Sequence, residues 1–369
     1  MSGGKNIRGS LLRLAVCGLL LLWILAQIFD REGRLAWERQ HQGQAWSTLA
    51  RAERWHAAWS FGPAELWRSL SHVDPGALLL SLVFMGLTIA LGVVRWRMVL
   101  RVQGLDLSLG RATEISLVAH FFNSFLLGST GGDVLKAYYA ARETHHKKTE
   151  AVVTVFVDRL IGLFSMLLFA VVMMAPNFGL LRAHRPLAAI SGVILFMLLA
   201  CGAITGFSFW GGVSRGWPEA RAWLRRLPKG EVLERSLGAC RLFGRQPGFL
   251  ARAMGVSMAL NAACVLQILA LVRGLHLEVS LTALFVIVPV IICISALPIT
   301  PSGLGVRENL YVLMLTVPEI HVEATQAFSL SLLAYAGSLI WSIIGGVVYA
   351  CLKERHHLSE VTSAAAETA

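Results

Sequence analysis

ATEISLVAHFFNSFLLGSTGGDVLKAYYAA, running from Ala112 to Ala141, is apolar enough to enter a bilayer, but Gly128, Ser129, Thr130, Gly131 and Gly132 interrupt it near the middle. Basic residues flank it on both sides: Arg95, Arg97, Arg101 and Arg111 before it, Arg142, Lys147 and Lys148 after it. Cytoplasmic loops are the ones that carry Lys and Arg. Both ends therefore belong on the cytoplasmic face, and the stretch is expected to dip into the membrane and return as a re-entrant helical hairpin. A second interrupted stretch, Leu281 to Val317, lies between the loop at Arg273 and the acidic run Glu319, His321, Glu323. Acidic, base-poor loops belong outside, so this segment is expected to dip from the opposite face. Two interrupted segments facing opposite ways are the sequence trace of an inverted repeat. The turns also read alike, Leu127-Gly128-Ser129-Thr130-Gly131-Gly132-Asp133 against Pro301-Ser302-Gly303-Leu304-Gly305-Val306-Arg307-Glu308.

The rest of the chain supports a bilayer as its main solvent. Of 369 residues, 56% are hydrophobic and 15% charged, with a mean hydropathy of +0.63. Six runs suit the ~20 residues a helix needs to cross ~30 Å of hydrocarbon. They are Leu11 to Phe29, Pro75 to Val94, Ala151 to Ala175, Leu187 to Trp210, Ala253 to Val272 and Gln326 to Cys351. The expected fold is an all-α polytopic membrane protein, with about six full transmembrane helices plus two oppositely oriented re-entrant hairpins. Lys5, Arg8 and Arg13 before the first run, and Lys353 and Arg355 after the last, place both termini in the cytoplasm. Four regions follow: a membrane helix in residues 1–30, an external Trp-rich amphipathic segment in 31–74, a membrane domain in 75–352 and a short tail in 353–369. The domain includes a basic cytoplasmic segment, 214–252. Trp37, Trp46, Trp55, Trp59 and Trp67 mark the external segment as interfacial, where indole rings settle.

The net charge of +11 is explained by basic loops and anionic lipid surfaces rather than by nucleic acid, for which no binding motif is present. The six cysteines have neither metal-ligand spacing nor obvious disulfide partners. His145-His146 and His356-His357 lack a third ligand, and no cofactor is expected. No nucleophile with a base, no paired-carboxylate constellation and no ATP-binding motif stands out, so the chain is not expected to be an enzyme.

Candidate site residues cluster at the two hairpins and in one span. Irregular backbone at membrane depth must be buried or line a wet cavity, because unpaired amides in lipid cost several kcal/mol. Gly131 and Gly132 are placed to expose N–H groups to a phosphate, with Lys136 one turn on. The alternative is a tight hairpin whose following helix is capped by Asp133. Asp158 and Arg159 lie inside a span, where a charge costs at least ~2.5–3.5 kcal/mol. As helix neighbours they face different ways, so each needs a partner, and Asp133, Lys136, Arg307 and Glu308 are the candidates. A structural ion-pair network and a head-group cavity both satisfy this pattern. Asn123 joins the candidate set. So do Pro298, which removes a backbone donor, and Gly303 and Gly305, which permit turns. His120, Asn261 and Gln267 fit interhelical hydrogen bonding.

Phe121-Phe122-Asn123, Leu127-Gly128, Gly131 through Tyr138, Asp158 through Leu163, and Leu297 through Glu308 together resemble the lysylphosphatidylglycerol synthase transmembrane-region family, also called the flippase-like domain family. The similarity covers about Pro75 to Leu352. Two departures stand out: Leu127 where the family favours proline, and Lys136 where it often has arginine, an ammonium in place of a planar fork. The resemblance implies a stand-alone member, with no room after Lys353 for a soluble aminoacyl-transferase domain. It also implies a lipid translocator, or alternatively an accessory subunit that presents lipid to a lipid-modifying enzyme. The lipid would be a phospholipid, glycolipid, polyprenyl-phosphate or hopanoid type.

The topology is open to direct test. In a cysteine-free background, a cysteine at Lys147 should react with an impermeant maleimide only from the cytoplasmic side, and one at Glu319 only from outside. Labelling of position 147 from outside would overturn the re-entrant reading.

Overall fold

A computed structural model describes residues 49–71, 73–124, 131–144, 147–177, 185–210, 239–297, 306–318, 320–322 and 324–351. It also describes the single residues 26, 29, 30, 33, 34, 37, 38, 46, 179 and 303. The expected span from Leu11 to Phe29 (apart from Ala26 and Phe29), the turn residues 128–130, Pro298, Pro301 and Gly305 lie outside the described residues, as do most of the basic segment, 214–238, and the tail 353–369.

The described chain is helical: α1 Arg51–Ser71, α2 Pro75–Val102, α3 Leu109–Asn123, α4 Gly131–Arg142, α5 Lys148–Met174, α6 Arg185–Trp210, α7 Pro247–Gly274, α8 Leu281–Ser295, α9 Val306–Leu315 and α10 Ala324–Cys351. Five of these helices, α2, α5, α6, α7 and α10, are long and apolar enough to cross a bilayer. α1 carries Trp55, Trp59 and Trp67 exposed and buries Ala57 and Ala58, the distribution of a helix that lies along an interface.

Local chemistry sets the helix ends. Asp74 accepts a hydrogen bond from the Gly76 amide at 3.1 Å, with Pro75 opening α2. Ser108 and Ser280 cap α3 and α8 through the amides of Arg111 and Ala283, each at 3.2 Å. Both opening spans run further on the basic side than the sequence expectation, and α7 begins at Pro247 rather than Ala253. α2 continues beyond Val94 to Val102, so Arg95, Arg97 and Arg101 are helical rather than in a loop. Arg97 and Arg101 lie at the helix end, paired with Asp106 at 3.6 and 3.4 Å, which satisfies the terminal carbonyl dipole with positive charge. Arg95, two turns from the end, faces the interior.

α3 and α4 form one hairpin, α8 and α9 the other. At 1.5 Å per residue the longest of these arms covers only ~22 Å, short of the ~30 Å hydrocarbon core. The open end of the first hairpin is closed by Arg111–Glu143 at 2.6 Å. It sits with the end of α2, where Lys147 Nζ donates to the Gln103 carbonyl at 3.1 Å and Gln103 Nε2 donates to the Ala239 carbonyl at 2.9 Å. The second hairpin opens at the other face. There the Asp74 amide donates to the Gly274 carbonyl at 3.1 Å, and Val73, Val272, Leu284, Leu315 and Val322 share one apolar core. The hairpins thus dip from opposite faces. α10 runs past both tips. Ser124 of the first tip hydrogen-bonds Ser342, and His120 Nε2 meets the Ser338 carbonyl at 3.4 Å; Arg307 of the second donates to Ser331 at 3.3 Å. Both tips therefore end near the middle of the span.

The inverted repeat extends well beyond the similar turns. A shift of 172 residues carries Pro75–Val102 onto Pro247–Gly274 and Leu109–Asn123 onto Leu281–Ser295 without a gap. The link repeats too. Gly104 (φ +66°) falls on His276 (φ +54°), and the Leu105 amide to the Leu100 carbonyl falls on Leu277 to Val272. Both links are the same left-handed helix stop, in which an αL residue lets the chain reverse over the last turn. α2 and α7, the two opening spans, pack antiparallel along their lengths.

Glycines set the close packing of the first hairpin, Gly132 between its own arms and Gly345 between α10 and α3. A Cβ at Gly132 would overlap the Ala119 carbonyl, and one at Gly345 would overlap the Leu117 carbonyl. Such approaches let backbones touch, the use of small residues in membrane helix packing. Gly345→Val should therefore strip α10 from α3 and lower the yield of folded protein. Gly192→Ala, where nothing lies within 4 Å, should leave it unchanged. Fluorescence-detected size exclusion of the two variants checks this, and equal profiles would show that the crossing tolerates a side chain.

Candidate functional site

Asp158 stands on α5 with Gly162 one turn further on the same face. Its carboxylate is buried between two cations. Oδ1 accepts from Arg95 Nε at 2.8 Å and Oδ2 lies 3.2 Å from Lys136 Nζ. All three side chains are about a tenth exposed. Arg95 also donates through Nη1 to Ser257 Oγ at 3.1 Å, and the Lys136 ammonium lies 4.3 Å from the Trp96 ring centroid, a cation–π contact. The triad ties α2, α4, α5 and α7 together. Gly162 makes room for it: a Cβ there would come within 2.9 Å of the Arg95 guanidinium.

A second pair crosses beside the first. Successive helix residues point ~100° apart, so Asp158 and Arg159 reach α4 at different residues, Lys136 and Asp133, which share a face at i, i+3 spacing. Arg159 Nε lies 3.6 Å from Asp133 Oδ2, with the side chains 38% and 26% exposed. Asp133 is available because it does not cap α4. The Gly132 amide instead donates to Asn123 Oδ1 at 2.8 Å, so Asn123, the last residue of one arm, pins the start of the other and engages the donor that the sequence had offered to a phosphate.

These groups line a cavity of about 290 Å³. Its two walls differ in chemistry. Hairpin and α5 residues contribute Ser116, His120, Asn123, Asp133, Lys136, Asp158 and Arg159, while α2 and α7 contribute Met85, Ile89, Gly92, Val93, Leu260 and Cys264, with Thr88 and Arg95 among them. Ser116 Oγ is buried without a hydrogen-bond partner among the described residues.

Of the residues singled out in the sequence, Asn123, Gly132, Asp133, Lys136, Asp158 and Arg159 are brought together here, with Gly131 at the start of α4. Arg307 and Glu308 are not. They pair with each other at 2.9 Å, Glu308 buried, and Arg307 lies 4.5 Å from the Tyr335 ring centroid. Gly303 (φ +69°) packs on Ser295 in the same hairpin. Pro298 and Gly305 are outside the described residues. Arg95, Ser116 and Ser257 were missed. Arg95 heads a basic cluster that composition assigns to a loop; the signal that separates it is the apolar run Val93-Val94 before it and Trp96 after it.

The sequence matches the family described as lysylphosphatidylglycerol synthase TM region over residues 10–346. The match begins well before Pro75, so it takes in the N-terminal segment as well as the membrane domain. No curated protein matches it.

The two pairs should differ in what they hold. Asp158→Asn leaves Arg95 and Lys136 buried as like charges, and losing one partner of a buried ion pair costs about 3–5 kcal/mol. Asp133→Asn breaks a partly exposed pair, worth about 0–1 kcal/mol. Thermal unfolding in detergent should show a large drop for the first and a small one for the second; equal drops would contradict this ranking.

Proposed function

The chain belongs to the lysylphosphatidylglycerol synthase TM region family, and from that premise we propose that it is a lipid translocator of the cytoplasmic membrane, moving an amphiphile with a polar or anionic head between leaflets. A multi-pass membrane protein of this family has a lipid-related function. The observation that carries the finer reading is the two-sided cavity at the hairpin tip. One wall offers two cations and two carboxylates, and the other is mostly apolar side chains of α2 and α7 with Arg95 among them. That division suits an amphiphile whose head enters protein while its tails stay in lipid. Ligand pockets commonly measure ~300–1,000 Å³, so a cavity of about 290 Å³ has room for a head group. Desolvation is then limited to the head.

The charges in the cavity are ion-paired with one another rather than arranged as a nucleophile and its base, which supports binding and transport over chemistry. With both termini in the cytoplasm, the first hairpin dips from the cytoplasmic side and carries the cavity at its tip. The lipid is of phospholipid, glycolipid, polyprenyl-phosphate or hopanoid type. A lipid gradient, an ion gradient or the membrane potential supplies the driving force.

Reconstitution of the purified chain into vesicles with a head-labelled fluorescent phospholipid, read by bleaching of the outer leaflet, tests the proposal. Translocation should exceed that of empty vesicles. Arg159→Gln removes a charged hydrogen-bond donor, worth about 1.5–3 kcal/mol, and should slow transport by about tenfold or more at normal yield. Lipid binding without translocation would favour the accessory role of presenting lipid to a modifying enzyme.

A further inference from the structure

His120 of α3 shares the cavity with Arg95 of α2, Asp133 and Lys136 of α4, Asp158 and Arg159 of α5 and Cys264 of α7. α10, which also packs on α3, brings a carbonyl and hydroxyls there; its Tyr335 and Tyr349 lie against Arg307 and Phe122. Arg111 and Glu114, on α3 itself, pair with each other at the open end of the hairpin. In the cavity both carboxylates already sit in ion pairs, Asp158 with Arg95 and Lys136, Asp133 with Arg159. A proton on either would discharge a pair. A thiol such as that of Cys264 has no cationic form. Histidine is the side chain that gains charge near neutral pH, and none of these pairs includes His120.

His120 also stands at a joint. Its Nε2 meets the Ser338 carbonyl at 3.4 Å where the first hairpin leans on α10, and Ser124 hydrogen-bonds Ser342 one turn along. A carbonyl only accepts, so Nε2 carries the ring hydrogen and Nδ1 holds the lone pair that takes a proton. Protonation turns the Nε2 contact into a charge-assisted bond, about twice as strong as a neutral one. α10 also receives Arg307 of the second hairpin through Ser331, so one helix registers both tips. Under the 172-residue shift His120 falls on Ile292, and the second hairpin has no histidine at that position.

We propose that His120 is the binding site of a coupling proton, which Nδ1 takes up when an anionic head enters the cavity and gives back to water when the head leaves. The inference rests on the translocator reading and names its coupling ion. Inside one space of about 290 Å³ the imidazolium and the head attract each other across little water, and by linkage each raises the affinity for the other. One proton and one lipid are taken up at one face and delivered together at the other, and the imidazole returns neutral. For a head with a single negative charge this cargo is electroneutral. A pH difference therefore drives transport, the lipid moving from the acid to the alkaline side, and a membrane potential does not.

The test uses the full chain in phosphatidylcholine vesicles with N-NBD-phosphatidylethanolamine in both leaflets; the label blocks the amine and leaves one phosphodiester charge. Dithionite bleaching at a common pH after each incubation reads the outer fraction. The interior is set to about pH 6 and the exterior to about pH 8, across the range in which histidine titrates. The outer-to-inner ratio should then rise several-fold above that of empty vesicles, toward the limit of about tenfold per pH unit for one proton per lipid. A potassium diffusion potential at equal pH should leave the ratio unchanged. His120→Gln keeps a donor for the Ser338 carbonyl but holds no proton, and should show no accumulation. If size exclusion shows that it does not fold, His120→Asn is read in its place, and the wild-type arms by themselves decide the coupling ion. Accumulation by the variant would assign the proton to another group and overturn the site. A wild-type ratio that follows the potential, or that ignores the pH difference, would overturn proton coupling. Probe added to the outer leaflet alone, at equal pH, reports translocation separately. Exchange without accumulation sinks the coupling and leaves the translocator standing, whereas absence of exchange sinks both.

Discussion

A carboxylate at membrane depth cannot be left alone, and the arrangement of the first half of this protein follows from meeting that requirement at Asp158. Charged groups in lipid are stable only when paired or hydrated. Asp158 takes Arg95 from α2 and Lys136 from α4, and Arg95 carries the connection on to Ser257 of α7. One buried group thus fixes the relative positions of four helices. Gly162 exists at its place in α5 because the guanidinium needs the space. The short arms of the hairpin, unable to span the bilayer, end where this cluster can receive them.

The two halves share a backbone and differ in charge. Under the 172-residue shift Arg95 falls on Gln267, and each hairpin places a cation four residues after its packed glycine, Lys136 after Gly132 and Arg307 after Gly303. In the first half the counter-ion comes from a distant span, and a second cation, Arg159, is brought alongside. In the second half Arg307 takes its chain neighbour Glu308. That pair is made within one helix, and Arg307 also reaches α10 through Ser331 and the Tyr335 ring. The same fold therefore carries a cavity lined by charges from several helices at one hairpin and an ion pair between chain neighbours at the other.

Periodicity and charge patterning made much of the fold legible. Long apolar runs and interrupted stretches correspond to the helices and to the two hairpins, and the charges around the stretches to their opposite directions. Where patterning failed, it failed for a definable reason. The rule that basic residues mark loops put Arg95 outside the membrane, because composition counts charges without asking whether a partner waits across the bundle. The sequence also kept Asp133 open as either a helix cap or an ion-pair partner. Asn123 decides between these, since an amide oxygen on the facing arm reaches the Gly132 N–H first.

The sequence by itself determined the solvent, the helical class, the two broken segments and the residue types available for a polar site, all of which follow from hydrophobic length and local backbone chemistry. Only the tertiary structure decided which charges meet. Asp158 and Arg159 are chain neighbours with different partners, Arg95 and Ser257 are joined across 162 positions, and Arg307 and Glu308, alike in kind to the other candidates, stand apart from the cavity. Pairing across a bundle depends on the rotation and depth of whole helices, and those are set by packing over their full length rather than by any local run of residues.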